Sequence, residues 1–401
     1  MAVTVTLALR AQNIRSNKIE PGRIERINVQ PITISGTDQQ HASGADQQPA
    51  IVAEAGSGGF GSGSGPVSLI GAIPVPAPIA STDILFVDQN TGRLFLTDRT
   101  NKSIDVFDAV NNVYIASIPG FLGTPGVNGQ GPNGVLVTPD NILFAGDGNS
   151  TLQAVDLNVD PTQWRITQSI SVGGPTDGRA DELGYDPFER VVMVASDAAN
   201  PPHATLVSVD TYQVVGQVKF PDATGLEQPV WDTQLHRFLL TVPSSPAYVA
   251  VIDPRNARIT KKHTFPRCSG SVNGLALGPN QHILAVGCGV ANILNAIDGR
   301  LINIITQVNG GDEVWYNSGD NRFYVTSTDP TGQTVLGVID AQSGQWLQNV
   351  RANGVRNPTA FAGNNEIFAA VRAPAAGTRD TTVCAQFGIV GTGCIAVFSH
   401  L

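Results

Sequence analysis

A short apolar run ending in aspartate recurs along this chain, and its period constrains the fold more than any other feature. It closes SIDVFD at Asp108, LQAVD at Asp156, LVSVD at Asp210, VAVID at Asp253, LNAID at Asp298 and LGVID at Asp340. A last copy, CIAVFS, reaches Ser399. After each aspartate come a few turn residues and a further strand-like run, such as VYIASIPG, QVVGQVKFPD or WLQNVRANG. An aspartate carboxylate accepts hydrogen bonds from backbone N–H groups two or three residues on, which starts a tight turn. All six aspartates therefore read as structural.

Each unit opens on a second marker: an apolar strand, a turn and another apolar strand. ILFVDQNTGRLFLTD, ELGYDPFERVVMVAS, PVWDTQLHRFLLTV and EVWYNSGDNRFYVTS are examples. The two markers together predict four antiparallel strands in about 39 to 50 residues, the size of a propeller blade. The predicted fold is all-β: a seven-bladed β-propeller of four-stranded antiparallel blades over residues 66–401. The last unit supplies only three strands. VSLIGAIPVPA at 67–77 has the form of the missing fourth strand. Pairing it with Cys394–Ser399 closes the ring and removes an exposed strand edge.

Composition agrees. Charged residues are 14% of the chain, Gly numbers 43 and Pro 26, as many short strands joined by turns require. No long stretch has helical periodicity, which excludes a helical bundle or a βαβ fold. The net charge is −9 and no Lys/Arg run exists, so nucleic acid is not an expected partner. No stretch of about 18 or more apolar residues predicts a membrane span. The opening MAVTVTLALRAQ is a poor signal peptide, with no basic region ahead of a short apolar run. Residues 1–35 alternate apolar and polar side chains in places. They read either as an arm or hairpin that packs on the propeller or mediates oligomerisation, or as an unstructured tail. Residues 36–65 are Gly/Ser-rich and read as a linker.

Units such as TDILFVDQNTGRLFLTDRTNKSIDVFD and VNGLALGPNQHILAVGC resemble the YVTN-type propeller repeats of bacterial extracytoplasmic proteins. The resemblance implies the fold and export from the cytoplasm. It implies no particular activity, because propellers host many.

The innermost strand of each blade lines a central channel, and its first position sits at one mouth. Aligning the units puts Asp83, Asn133, Asp181, Glu227, Asn273, Asp312 and Asn357 there, with Glu182 and Glu313 following in two blades. Every one is a carboxylate or carboxamide. Such an oxygen ring suits a hard cation, Ca²⁺ or Mg²⁺. The same residues could instead cap the entry turn of each blade or simply line a solvated channel. The layout is similar to the metal site of the gluconolactonase and senescence-marker propellers, although those have six blades and permit no residue-by-residue match.

The loops between second and third strands share this mouth and carry Arg99, Asp197, His203 and Arg372, among others. His203 is the candidate general base, since an unperturbed imidazole titrates near neutrality. Virginiamycin B lyase, a seven-bladed propeller, pairs a metal with a catalytic histidine at this face, and the likeness is one of position only. The plain alternative is a surface loop histidine. Trp231 and Trp315 lie on innermost strands and are expected to pack between blades. No GxSxG, HExxH or phosphate-binding Gly-rich loop occurs.

Cys268, Cys288, Cys384 and Cys394 permit three disulfide connectivities. The expected topology brings Cys268 to Cys288 and Cys384 to Cys394 at the mouth that carries the oxygen ring. Two bridges favour a periplasmic or secreted protein, whereas reduced thiols would favour the cytoplasm. Two functions fit. One is a binding propeller that takes a small molecule, a metal or a protein at its channel mouth. The other is a metal-assisted, lactonase-like hydrolase or lyase at the same funnel.

Overall fold

The computed structural model describes residues 65–123, 130–265, 268 and 271–401. The N-terminal arm and the linker before residue 65 lie outside them. Seven four-stranded antiparallel sheets form the blades. Their innermost strands are Thr82–Asp88, Val135–Val137, Leu183–Asp186, Pro229–Asp232, Val272–Leu277, Val314–Asn317 and Val355–Phe361.

The seventh sheet holds Val355–Phe361, Glu366–Arg372, Gly393–His400 and, on its outer edge, Val67–Pro74. Val67 pairs with His400 and Pro74 with Cys394. The ring is thus closed by the strand that the sequence offered, which covers the edge of Gly393–His400.

The second and third strands of each blade are apolar on both faces, because each face meets a neighbouring blade. Val191–Ser196 is buried at every position. Such strands read as continuous apolar runs rather than alternating ones. Outer strands are largely exposed, as in Val113–Pro119. Phe95, Phe144, Phe238, Phe323 and Phe368, on the second strands of blades 1, 2, 4, 6 and 7, are fully buried and fill the wedges between blades.

The turn aspartates behave as expected in four blades. Asp108 accepts from the N–H groups of Val110 and Asn111, at 2.8 and 3.0 Å. Asp156, Asp253 and Asp340 accept from Asn158, Arg255 and Ser343 in the same way. Blades 3 and 5 differ. Their third strands end at Ser208 and Asn295, ahead of the marker aspartates. The side chain of Ser208 accepts from the Thr211 N–H, and that of Asn295 from the Ile297 N–H. Asp210 instead pairs with Arg190 at 2.8 Å. A short polar side chain in the right register starts the turn, and the apolar-run marker missed that register by two or three residues.

One regularity was not legible in the repeats. In blades 1 to 6 the register between third and outer strands slips once, at Val106/Phe107, Ala154/Val155, Leu206/Val207, Val251/Ile252, Ile293/Leu294 and Val338/Ile339. A bulge sharpens the local right-handed twist. The closing strand carries its own slip, between Leu69 and Gly71.

Candidate functional site at the channel throat

The ring positions converge because neighbouring innermost strands approach closely at one end. Gly134 follows Asn133, and a Cβ there would lie 2.2 Å from the Asp181 carbonyl oxygen. Gly274 follows Asn273, and a Cβ there would lie 2.9 Å from the Asp312 carbonyl oxygen. Only glycine permits that approach. The repeated Asn-Gly pair was the sequence signal for it.

Two ring members link adjacent blades. Asn133 is fully buried, and its Nδ2 donates to the Ala180 carbonyl at 2.9 Å. Asn357 is buried, and its Nδ2 donates to the Asp83 carbonyl at 2.9 Å. Asn273 accepts from Ser271 Oγ at 2.7 Å. The charged members form the rest of the throat. Arg99 bridges Asp83 and Asn133, donating from Nε to Asn133 Oδ1 at 2.9 Å. Arg179 bridges Asp181 and Asp197, at 2.6 and 3.1 Å. Arg356 stands 3.8 Å from Asp312. Arg372 donates to the Thr82 carbonyl. Arg179 lies in the connection into blade 3 and Arg356 on the innermost strand of blade 7, and sequence reasoning did not single them out.

Acid outweighs base in this cluster, and burial amplifies the excess. Burial, followed by the Asp181 charge, pushes Asp83 up to about 8 despite Arg99. Burial, then Asp181 and Asp312, pushes Glu227 up to about 9. Burial and Asp181 push Asp197 up to about 7. Glu182 and Glu313, just ahead of the innermost strands of blades 3 and 6, are both buried and line one cavity. Burial holds both well above the ordinary carboxylate range, and the Glu182 charge adds to the rise at Glu313. Glu313 Oε2, Asp181 Oδ1 and Asn357 Oδ1 are buried and accept no hydrogen bond. Among the described residues, no three His, Cys, Asp or Glu side chains are already gathered as a metal site.

His203 is placed differently from the throat residues. It is buried at the start of the third strand of blade 3, and its Nε2 meets the Val172 carbonyl at 3.2 Å. Both disulfides pair as the topology implied, with Cα–Cα distances of 5.7 Å for Cys268–Cys288 and 5.8 Å for Cys384–Cys394. Cys384 lies on a one-turn helix, Val383–Gln386, inside the insertion of blade 7.

Below the throat the channel turns apolar. A cavity of about 290 Å³ is lined by Phe86, Val137, Tyr185, Trp231, Leu277 and Trp315, among others, with Glu182 and Glu313 at its inner end. Trp231 and Trp315 do pack on the clusters between blades, as expected. They also face this bore, where Phe86 and Trp315 meet edge to face at 5.8 Å.

Fold and site together define a seven-bladed β-propeller with a charged throat and an apolar bore. No family model matches the chain, and no curated protein does. Solved structures share the fold widely, with 1515 similar chains. One belongs to a structure described as the crystal structure of the mitotic checkpoint complex. It is 12% identical, with a TM-score of 0.61, covering 91% of this chain and 99% of that one. At that identity the likeness shows the fold alone. Among the described residues no helix is long and apolar enough to cross a membrane.

Proposed function

We propose that this chain is an extracytoplasmic binding propeller whose throat takes up positive charge, with Ca²⁺ or Mg²⁺ as the simplest occupant. One observation carries the reading: Glu182 and Glu313 are buried side chains lining one cavity, and Glu313 Oε2 has no partner. A proton or a cation must stand between two such groups. Oxygen donors alone suit a hard divalent ion. Glu182, Glu313 and the orphaned Asp181 Oδ1 are the residues to hold it. The bound ion would supply a fixed positive charge at the mouth, where an oxygen of a small molecule or of a protein partner can bind. The YVTN-type repeats and the two disulfides both favour export.

Calorimetric titration with CaCl₂ and MgCl₂ tests the reading. The expected result is saturable binding, release of protons and a raised melting temperature. All three should vanish in the Glu182→Gln, Glu313→Gln double variant. An unchanged melting temperature at millimolar concentrations of both ions would overturn it.

A further inference from the structure

The apolar bore has no role in the reading above, and its chemistry is unlike that of the throat. Phe86, Val137, Tyr185, Trp231, Leu277 and Trp315 are only half-buried, although they lie inside the ring. Apolar surface held open to water in this way is unfavourable unless something covers it. Blade 7 leaves the room. Its innermost strand brings only Pro358 to the wall, where other blades bring Phe86, Trp231 or Trp315.

The inner end of the bore is polar and largely satisfied. Gln228 of blade 4 reaches across to blades 5 and 6. It accepts from the N–H groups of Leu275 and Val314, at 2.8 and 3.2 Å, and donates to the Val314 carbonyl at 3.2 Å. That grip fixes the residue next to Glu313. Gln228 therefore has little left to offer a ligand. Glu313 does: it lines the cavity, is 4% exposed, and its Oε2 is unpartnered.

From this geometry we propose that the bore is a second binding site, open at the mouth opposite the throat, for a small amphipathic amine. Its apolar body would lie among Phe86, Trp231 and Trp315, and its ammonium group would meet the Glu182–Glu313 pair. The proposal rests on the reading of that pair as an acceptor of positive charge. An engineered cavity of about 150 Å³ holds one benzene. A cavity of about 290 Å³ accordingly has room for an aromatic ring and a short alkylamine chain. Aromatic faces along the wall favour a cation further. An ammonium can pair with a buried carboxylate at the inner end of the bore, which a neutral ligand of the same shape cannot do.

The test uses the whole protein, 2-phenylethylamine as the amine and 2-phenylethanol as its neutral counterpart. Tryptophan fluorescence and calorimetry follow binding. The amine should bind saturably, with the alcohol at least about tenfold weaker, roughly 1.4 kcal/mol. Glu313→Gln, isosteric with the protonated acid, should remove that preference. Glu182→Gln serves as the second variant should the first fail to fold. Equal affinities for amine and alcohol, or an amine preference that survives both variants, would overturn the proposal. A normal Ca²⁺ titration without amine binding sinks this proposal alone. Amine binding without Ca²⁺ or Mg²⁺ binding sinks the divalent-ion reading alone.

Discussion

The side-chain amide of Gln348 grips the backbone of Val67 at both ends: Val67 N–H donates to Gln348 Oε1 at 3.0 Å, and Gln348 Nε2 donates to the Val67 carbonyl at 2.8 Å. Gln348 belongs to the outer strand of blade 6. It therefore acts as a one-residue strand for the segment that completes blade 7. Gln348→Ala should cost about 1 to 3 kcal/mol, since it deletes two hydrogen bonds to half-buried backbone groups. Denaturant unfolding reads this as a lower midpoint with an unchanged slope.

Removing residues 1–78 takes the closing strand away altogether. Gly393–His400 would then present a bare edge rich in buried apolar groups such as Ile395, Val397 and Phe398. We expect aggregation or a broad, uncooperative melt, read by light scattering and calorimetry. A truncated chain that melts as one sharp transition would mean that the ring holds without its closing strand.

The sequence made the blades legible because each of their turns is local. The Asp-started turn, the hairpin and the buried second strand all recur within a single unit. The alignment of Asp83, Asp181, Glu227 and Asp312 on one repeat position was legible for the same reason. What those side chains do there was not, because it depends on the next blade. Asn133 and Asn357 spend their amide groups on the neighbours' carbonyls, Arg179 enters from a connecting loop and Arg356 from the innermost strand of blade 7. The bore is a property of all seven blades at once. Trp315 meets Phe86 although 229 positions separate them in the numbering, and no repeat-by-repeat reading could foresee that pair.

Stability should fall as pH rises from acid to alkaline. Asp83, Asp197 and Glu227 have folded-state values of about 8, 7 and 9, all above those of an unfolded carboxyl. Between about pH 4 and these values the folded chain binds more protons than the unfolded one, so the slope of unfolding free energy with pH is negative. Their contribution is complete below about pH 4 and is lost as pH passes through 7 to 9. Melting temperatures from pH 5 to pH 9 should decline, and Glu227→Gln should flatten the alkaline part. A melting temperature that rises over this range would contradict the throat electrostatics.

Each disulfide closes a short loop, of 20 residues for Cys268–Cys288 and 10 for Cys384–Cys394. Replacing either pair by serine should cost about 2 to 4 kcal/mol. Because the bridges are independent and lie in different blades, the two losses should add. Chemical denaturation with and without reductant measures both, and the serine variants should no longer respond to reductant at the altered site.

The join between Val67–Pro74 and Gly393–His400 also sets a clock on synthesis. Gly65 and His400 are in contact across 335 positions. At a translation rate of about 5 to 20 residues per second, the early strand waits roughly 20 to 70 s for its partner. During that interval VSLIGAIP, which carries no charge, is an unclaimed apolar strand on a nascent chain. Neighbouring ribosomes on one message would hold identical copies of it at high local concentration. Slowed elongation should therefore raise the yield of entangled, cross-paired chains, even though in the finished ring the segment is already paired with Gly393–His400.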